Sequence, residues 1–99
     1  MSTTTAPDLW PGMDRSTPTA QAWVDLWDLL HHDTWTPTTE AIDAVLAKNP
    51  TVKRDTLMAK MYEAKRLRLI QKRGGYSHKT KRDTRAIRRH PAAQETTAP

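Results

Sequence analysis

The sequence predicts a mostly α-helical domain with a small β-hairpin, and three observations lead to this prediction. Residues 51–73 have the pattern of a basic amphipathic helix that passes directly into a short apolar strand. Gly74-Gly75 interrupts that strand, and a second short strand follows a basic loop. Two further amphipathic stretches, each introduced by Thr-Pro, precede this region and predict two more helices.

The 99 residues suffice for one small domain with a modest core. Residues 1–16 are rich in threonine, proline and small side chains without apolar periodicity, so we expect a flexible arm there. We expect a folded domain over residues 17–89 and a disordered tail over residues 90–99. Trp10 is the arm's single anchor, and the sequence does not decide whether it packs on the domain, binds a partner or does neither.

The first helix is predicted to begin at the Thr17-Pro18 cap and to run to about His32. Its apolar side chains recur at helical spacing and should form the centre of the core. They are Trp23, Leu26, Trp27 and Leu30. His31-His32 does not indicate a metal site, because adjacent side chains on a helix point about 100° apart.

The second helix is predicted from the Thr36-Pro37 cap to about Lys48, where Asn49-Pro50 ends it. Thr51 should cap the third helix. Two helices separated by so short a break meet at a steep angle, as in a helix-turn-helix. Trp35 lies between polar residues just before the second helix.

The third helix places one apolar stripe against the core and cationic side chains on its flanks. The stripe consists of Leu57, Met61, Ala64 and Arg68, with Met58 beside it. One flank carries Lys53, Thr56, Lys60 and Glu63, and the other carries Arg54 and Lys65. Such a helix suits a groove lined with phosphates, although an ordinary solvated surface helix has the same pattern.

The hairpin is predicted from near-alternation of apolar and charged residues between Leu67 and Arg73. Tyr76 resumes the pattern after the glycines, residues 77–82 form a cationic loop, and residues 83–89 return as a strand with Ala86 and Ile87 as its apolar members. A positively charged tip is suited to contact a phosphate backbone or a minor groove.

The charge is divided between the two halves of the chain. Residues 1–50 hold seven acidic and two basic side chains, a net charge of −5, whereas residues 51–99 hold fourteen basic and four acidic ones, a net charge of +10. An acidic face opposite a basic face favours one orientation on a polyanion, and the attraction should weaken steeply with salt.

Several function classes are not expected from this sequence. The chain has no cysteine, no apolar run long enough to span a bilayer and no signal-peptide pattern, so a cytoplasmic protein is expected. Gly74-Gly75 opens no helix and therefore does not form a phosphate-binding loop. No set of nucleophile, base and orienting residue is recognisable, so we expect no enzyme activity, cofactor, metal or small-molecule substrate.

The order of elements over residues 17–89 resembles the winged helix-turn-helix domains of small prokaryotic and phage regulators. That resemblance implies a short strand at Trp35 that pairs with the wing, with Trp35 capping the core there. The segment Leu69-Ile70-Gln71-Lys72-Arg73, a basic loop and then Asp83-Thr84-Arg85-Ala86 is similar to the wing of the MarR family. That resemblance implies that Asp83 braces the wing and that Arg85 reaches the minor groove. The long dimerisation helices of that family have no counterpart here, so dimerisation by that route is not expected.

Our sequence-based interpretation is a regulator, of repressor type, that binds double-stranded DNA with its third helix and its wing and is therefore expected to be associated with the nucleoid. The predicted contact residues are Thr51, Lys53, Arg54, Thr56 and Lys60 in the helix and Lys72, Arg73, Tyr76, Lys79, Lys81, Arg82 and Arg85 in the wing. One such module buries roughly 600–1,000 Å², so specificity is expected to require a homodimer or a protein partner. The alternatives are a module that binds an acidic protein or RNA, and a non-specific nucleoid or architectural protein.

Overall fold

The computed structural model describes residues 6–91, and the expectations for residues 1–5 and 92–99 lie outside the described residues. Within it, three helices combine with a three-stranded antiparallel sheet and a two-stranded extension of its hairpin, which confirms the coarse fold class. The elements are α1 (Pro18–Leu29), β1 (Thr36–Pro37), α2 (Thr38–Lys48), α3 (Arg54–Arg66), β2 (Ile70–Arg73), β3 (Tyr76–Ser77), β4 (Arg82–Asp83) and β5 (Ala86–Arg89).

The first helix supplies the centre of the core, as predicted. The Thr17 hydroxyl accepts a hydrogen bond from the Ala20 N–H at 3.3 Å, and Pro18 occupies the first turn. All four residues of the predicted apolar stripe are at most 1% exposed, and α1 packs against both other helices. Since each tryptophan buries on the order of 150–250 Å², the Trp23 and Trp27 side chains provide much of the apolar burial in so small a domain.

The first helix ends three residues earlier than predicted. Leu29 is its last residue, and Leu30 adopts an extended ψ of 156°. The extended backbone takes the chain toward β5, where the His31 carbonyl oxygen accepts a hydrogen bond from the Arg89 N–H at 2.8 Å. Leu30 still buries its side chain, so the apolar stripe continues beyond the helix that carries it.

Residues 6–16 pack against the domain, and the prediction of a flexible arm is wrong for them. Ala6, Leu9 and Met13 are buried members of the core. The Trp23 indole N–H donates to the Pro7 carbonyl oxygen at 2.8 Å, which ties the segment to α1. The packed body of the protein therefore begins well before Thr17.

Thr36-Pro37 was predicted to cap the second helix, but it forms strand β1 instead. Thr36 lies opposite Ile87 and Pro37 opposite Ala86 in an antiparallel pair, which places the expected short strand one residue after Trp35. Helix α2 begins at Thr38 without a side-chain cap, since its N-cap residue is Pro37. Pairing with β5 fixes the backbone that a capping threonine would otherwise have to orient.

The third helix is shorter than its predicted stripe. It begins at Arg54 after an exposed Lys53 N-cap that makes no side-chain cap hydrogen bond, so Thr51 does not cap it. Leu57, Met61 and Ala64 are buried as predicted. Arg68 is exposed at a φ of +60° beyond the helix, which removes it from the stripe.

The hairpin of residues 70–89 keeps one register along its length. Ile70 lies opposite Arg89 at the base and Ser77 opposite Arg82 near the tip, with β1 added beside β5 to give the order β1-β5-β2. The ladder is interrupted at Gly74, whose φ is +79°. A Cβ atom at Gly74 would collide with the Thr84 carbonyl oxygen and lie 2.7 Å from its carbon. The close approach therefore requires glycine here.

Candidate nucleic-acid interface

A cleft separates the hairpin from helices α2 and α3. Its cavity has a volume of about 180 Å³. The residues that line it are Thr38, Thr39 and Ile42 of α2, Arg54, Met58 and Met61 of α3, and Lys72 and Arg85 of the hairpin. Three of the predicted contact residues, Arg54, Lys72 and Arg85, therefore meet in one place although they are far apart in the sequence. We refer to this cavity as the cleft.

The three cations of the cleft differ in how their charge is compensated. Arg54 pairs with Asp43 of α2 at 2.9 Å, and both side chains are exposed. Lys72 has no carboxylate partner within residues 6–91. Exposed ion pairs stabilise a protein by only about 0–1 kcal/mol, so an incoming phosphate can compete with Asp43 for Arg54. The cleft is thus able to present positive charge to a polyanion.

Asp83 and Arg85 form the most extensive polar contact of the hairpin. The Arg85 guanidinium donates to both carboxylate oxygens at 2.8 and 2.9 Å, and the Arg85 backbone N–H donates to one of them at 3.0 Å. The Thr39 hydroxyl of α2 contacts the same carboxylate at 3.4 Å. These hydrogen bonds hold the pKa of Asp83 well below its ordinary value and raise that of Arg85. Asp83 links the hairpin to α2 and holds Arg85 in the lining of the cleft.

The far end of the hairpin is exposed and cationic. Lys79, Lys81 and Arg82 are exposed and have no ion-pair partner in the part of the chain that the structure describes. Lys81 adopts a φ of +54°, which closes the turn. Tyr76, also exposed, packs edge-on against His78 with ring centroids 4.9 Å apart. Lys79, Lys81 and Arg82 thus form an exposed cationic tip of the hairpin.

Lys60 does not join this surface, contrary to the sequence-based grouping. Its ammonium group lies 4.7 Å from the centre of the Trp10 ring, and the side chain is half-buried. Side chains two positions apart on a helix differ in direction by about 200°, which is about 160° measured the shorter way. Lys60 therefore points almost opposite to Met58, which lines the cleft. Thr56 shares the flank of Lys60 and is also half-buried. Trp10 thereby receives a role that the sequence left open.

Arg73 is also separated from the cleft. Neighbouring residues of a strand point to opposite faces, so Arg73 faces away while Lys72 lines the cleft. The Arg73 guanidinium lies 4.4 Å from the centre of the Trp35 ring. Trp35 is half-buried on this outward side, so the expectation that it caps the core is wrong.

Sequence reasoning missed two side chains on the exposed part of α3. Met58 is 43% exposed and Tyr62, four residues further on, is 65% exposed. They follow one another along the helix surface beside the cleft. The spacing of four residues indicates a shared helix surface, whereas the sequence analysis places Met58 beside the core stripe.

Residues 6–91 contain neither a metal-binding cluster nor a membrane-spanning helix. No group of three or more His, Asp or Glu side chains is arranged to hold a metal ion there. No helix in the same range is long and apolar enough to cross a membrane. Comparisons of the chain with protein-family models, with curated proteins and with solved structures found no match.

Proposed function

We propose that this protein is a winged helix-turn-helix DNA-binding regulator, in which α3 enters the major groove and the hairpin acts as the wing. The observation that carries the proposal is the cleft, where Arg54 of α3 stands opposite Lys72 and Arg85 of the hairpin. A helix and a β-hairpin that converge with cations at their junction can contact one duplex together. The cationic hairpin tip extends the same charged surface toward the backbone or minor groove.

The contact set proposed here is narrower than the sequence indicated. Arg54, Lys72, Tyr76 and the tip cations belong to it, whereas Lys60 and Arg73 do not. Arg85 takes part from a fixed position, because Asp83 holds its guanidinium through two hydrogen bonds. Lysine contacts position a protein on the phosphates without reading sequence.

Base recognition is assigned to the exposed surface of α3. Met58 and Tyr62 offer apolar contact, which suits the methyl group of thymine, and the tyrosine hydroxyl can donate or accept a hydrogen bond. The exposed cations on the same side of α3, Arg54 and Lys65, suit phosphates better than base edges, so this surface would discriminate modestly between sequences. A second copy or a protein partner on an adjacent site would supply the missing specificity.

A mobility-shift comparison tests the proposal. The full chain is titrated against duplex DNA of random and selected sequence, single-stranded RNA and polyglutamate, over a range of salt concentrations. Lys72→Ala should weaken duplex binding and lower the slope of log affinity against log salt by about 0.9, the value for one lost phosphate contact. Lys48→Ala is the matched control, since Lys48 lies at the end of α2 beside Asp25 and Asp28.

Each alternative gives a different result in that experiment. Preference for RNA or polyglutamate over duplex DNA would replace the DNA-binding proposal with an RNA-binding or protein-binding module. Equal affinity for unrelated duplexes would instead indicate an architectural protein. Identical behaviour of the Lys72 and Lys48 variants would remove the cleft from the interface.

A further inference from the structure

The outward side of the sheet carries a second cationic cluster. The guanidinium carbons of Arg73 and Arg88 lie 4.4 and 4.5 Å from the centre of the same Trp35 ring. Arg88 also donates from Nε to the Gln71 side-chain oxygen at 2.9 Å. We call these four residues, Trp35, Gln71, Arg73 and Arg88, the outer face.

The outer face and the cleft lie on opposite sides of the hairpin. Lys72 and Arg85 line the cleft, and Arg89 donates to the Trp27 carbonyl oxygen on the same, helix-facing side. Side chains alternate along each strand, so Arg73 and Arg88 must project away from the helices. A duplex held at the cleft therefore leaves the outer face open.

The charges of the outer face are held close together without compensation. No carboxylate of residues 6–91 pairs with Arg73 or Arg88. When a planar guanidinium stacks on an aromatic ring, its N–H groups point outward along its own plane and stay available for hydrogen bonds. Two such groups on one indole form a rigid pair of donors with an excess of positive charge, which an anion can neutralise.

The composition of the outer face favours a phosphate backbone as the anion. Protein interfaces have an apolar centre, but the one large apolar ring here is already covered by the two guanidinium groups. Arginine matches phosphate in a bidentate geometry, and duplex DNA offers closely spaced phosphates. An acidic protein would supply fewer charges per unit length and no fixed spacing.

We propose that the outer face is a second phosphodiester-binding site, through which one chain holds a second duplex segment while the cleft and the wing tip hold the first. This inference rests on the proposed DNA-binding function. It gives the protein the ability to bridge or loop DNA as a single domain. The two arginines are the donors to the second backbone, and Trp35 is the positioning residue that fixes them.

A bridging assay tests this inference. One duplex is immobilised on beads, the full-length chain is added, and capture of a fluorescent second duplex is measured. Arg73→Gln with Arg88→Gln should reduce capture of the second duplex at least about tenfold, as expected for the loss of two charge-assisted contacts. The same double variant should shift a single duplex in a gel nearly as well as wild type. Lys72→Gln should impair both measurements, and Lys48→Gln should impair neither.

Folding of each variant is checked by its thermal unfolding midpoint. Arg73→Gln alone serves if the double variant is destabilised, because Arg73 is exposed and its described contact is the Trp35 ring. Trp35→Leu should lower capture of the second duplex while leaving single-duplex binding intact, because the arginines then lose their fixed positions.

The outcomes separate the two proposals. Failure of wild type to shift any duplex would overturn the DNA-binding proposal and the inference with it. Binding of a single duplex without capture of a second would overturn the inference alone. Undiminished capture by the arginine variants would also overturn it, because bridging would then arise from self-association. Capture of polyglutamate in preference to the second duplex would assign the outer face to an acidic protein.

Discussion

Replacing Gly74 with alanine should open the far half of the hairpin, whereas the same change at Gly75 should not. Gly74 has a φ of +79°, and a Cβ atom there would run into the backbone carbonyl of Thr84. Gly75 is its matched control, because a Cβ atom added to it meets nothing within 4 Å. Both positions are exposed and adjacent, and they differ in their backbone geometry.

The magnitude follows from the two costs at Gly74. A left-handed conformation costs a non-glycine residue about 1–2 kcal/mol. The Cβ collision is with backbone, so it is relieved only if the strands separate at Thr84. The hydrogen bonds from the Thr84 N–H to the Gly75 oxygen at 2.9 Å and from the Gly75 N–H to the Thr84 hydroxyl at 3.2 Å would then be lost. Each contributes about 0.5–1.5 kcal/mol, which gives a total of about 2–5 kcal/mol.

Much of this free-energy cost should favour local opening of the hairpin rather than unfolding of the whole domain. Strands β3 and β4 are exposed, so they can separate without disturbing the buried Ile70 and Ile87 below the break. We expect hydrogen exchange at the Thr84 amide to accelerate strongly in Gly74→Ala and to remain near the wild-type rate in Gly75→Ala. Duplex binding should weaken in parallel, because the tip cations lose their fixed direction. Equal exchange rates in the two variants would refute the argument from backbone geometry.

Three further predictions concern the N-terminal segment, the Asp83 brace and the composition of the interface. Leu9→Ala should lower the free energy of unfolding by about 2–5 kcal/mol in a denaturant titration, because Leu9 is 4% exposed, whereas Leu29→Ala at a 36% exposed site should change it by at most about 0.5 kcal/mol. Because the pKa of Asp83 is lowered in the folded state, its contribution to stability is present above its ordinary pKa and disappears as the pH falls through the lowered value. The stability difference between wild type and Asp83→Asn should therefore be constant from about pH 8 to pH 5 and shrink below about pH 4, and a difference that shrinks above pH 5 would contradict this. Lys60→Ala should affect duplex affinity less than Lys72→Ala, and the reverse order would return Lys60 to the interface.

The elements that are set by local periodicity could be predicted from the sequence. The buried stripes of α1 and α3 follow helical spacing, and the Thr17-Pro18 cap is a local signal. Gly74 was recognised as a break because glycine permits backbone conformations that other residues avoid. The exposure of Lys81 and Arg82 follows from their place in a loop without apolar side chains, and that of Lys72 from the near-alternation of apolar and charged residues along its strand.

The elements that depend on contacts between distant residues could not be predicted. Ala6 and Leu9 lie among prolines that exclude a helix, so nothing in their order indicates burial. The Thr36-Pro37 pair has the residue pattern of a helix N-terminus, and only its pairing with β5 makes it a strand. The cations that meet in the cleft also could not be predicted, because this depends on the direction in which each side chain leaves its helix or strand.

A titration of the isotopically labelled chain with duplex DNA, followed by the change in each backbone amide resonance, tests the central claim most directly. The account predicts the largest changes along the cleft-facing flank of α3, around Arg54 and Met58, and along the hairpin from Lys72 to Arg85. The acidic region formed by Asp25 and Asp28 should change least. Changes centred on that acidic region, or no change at any amide with duplex in excess, would contradict the account.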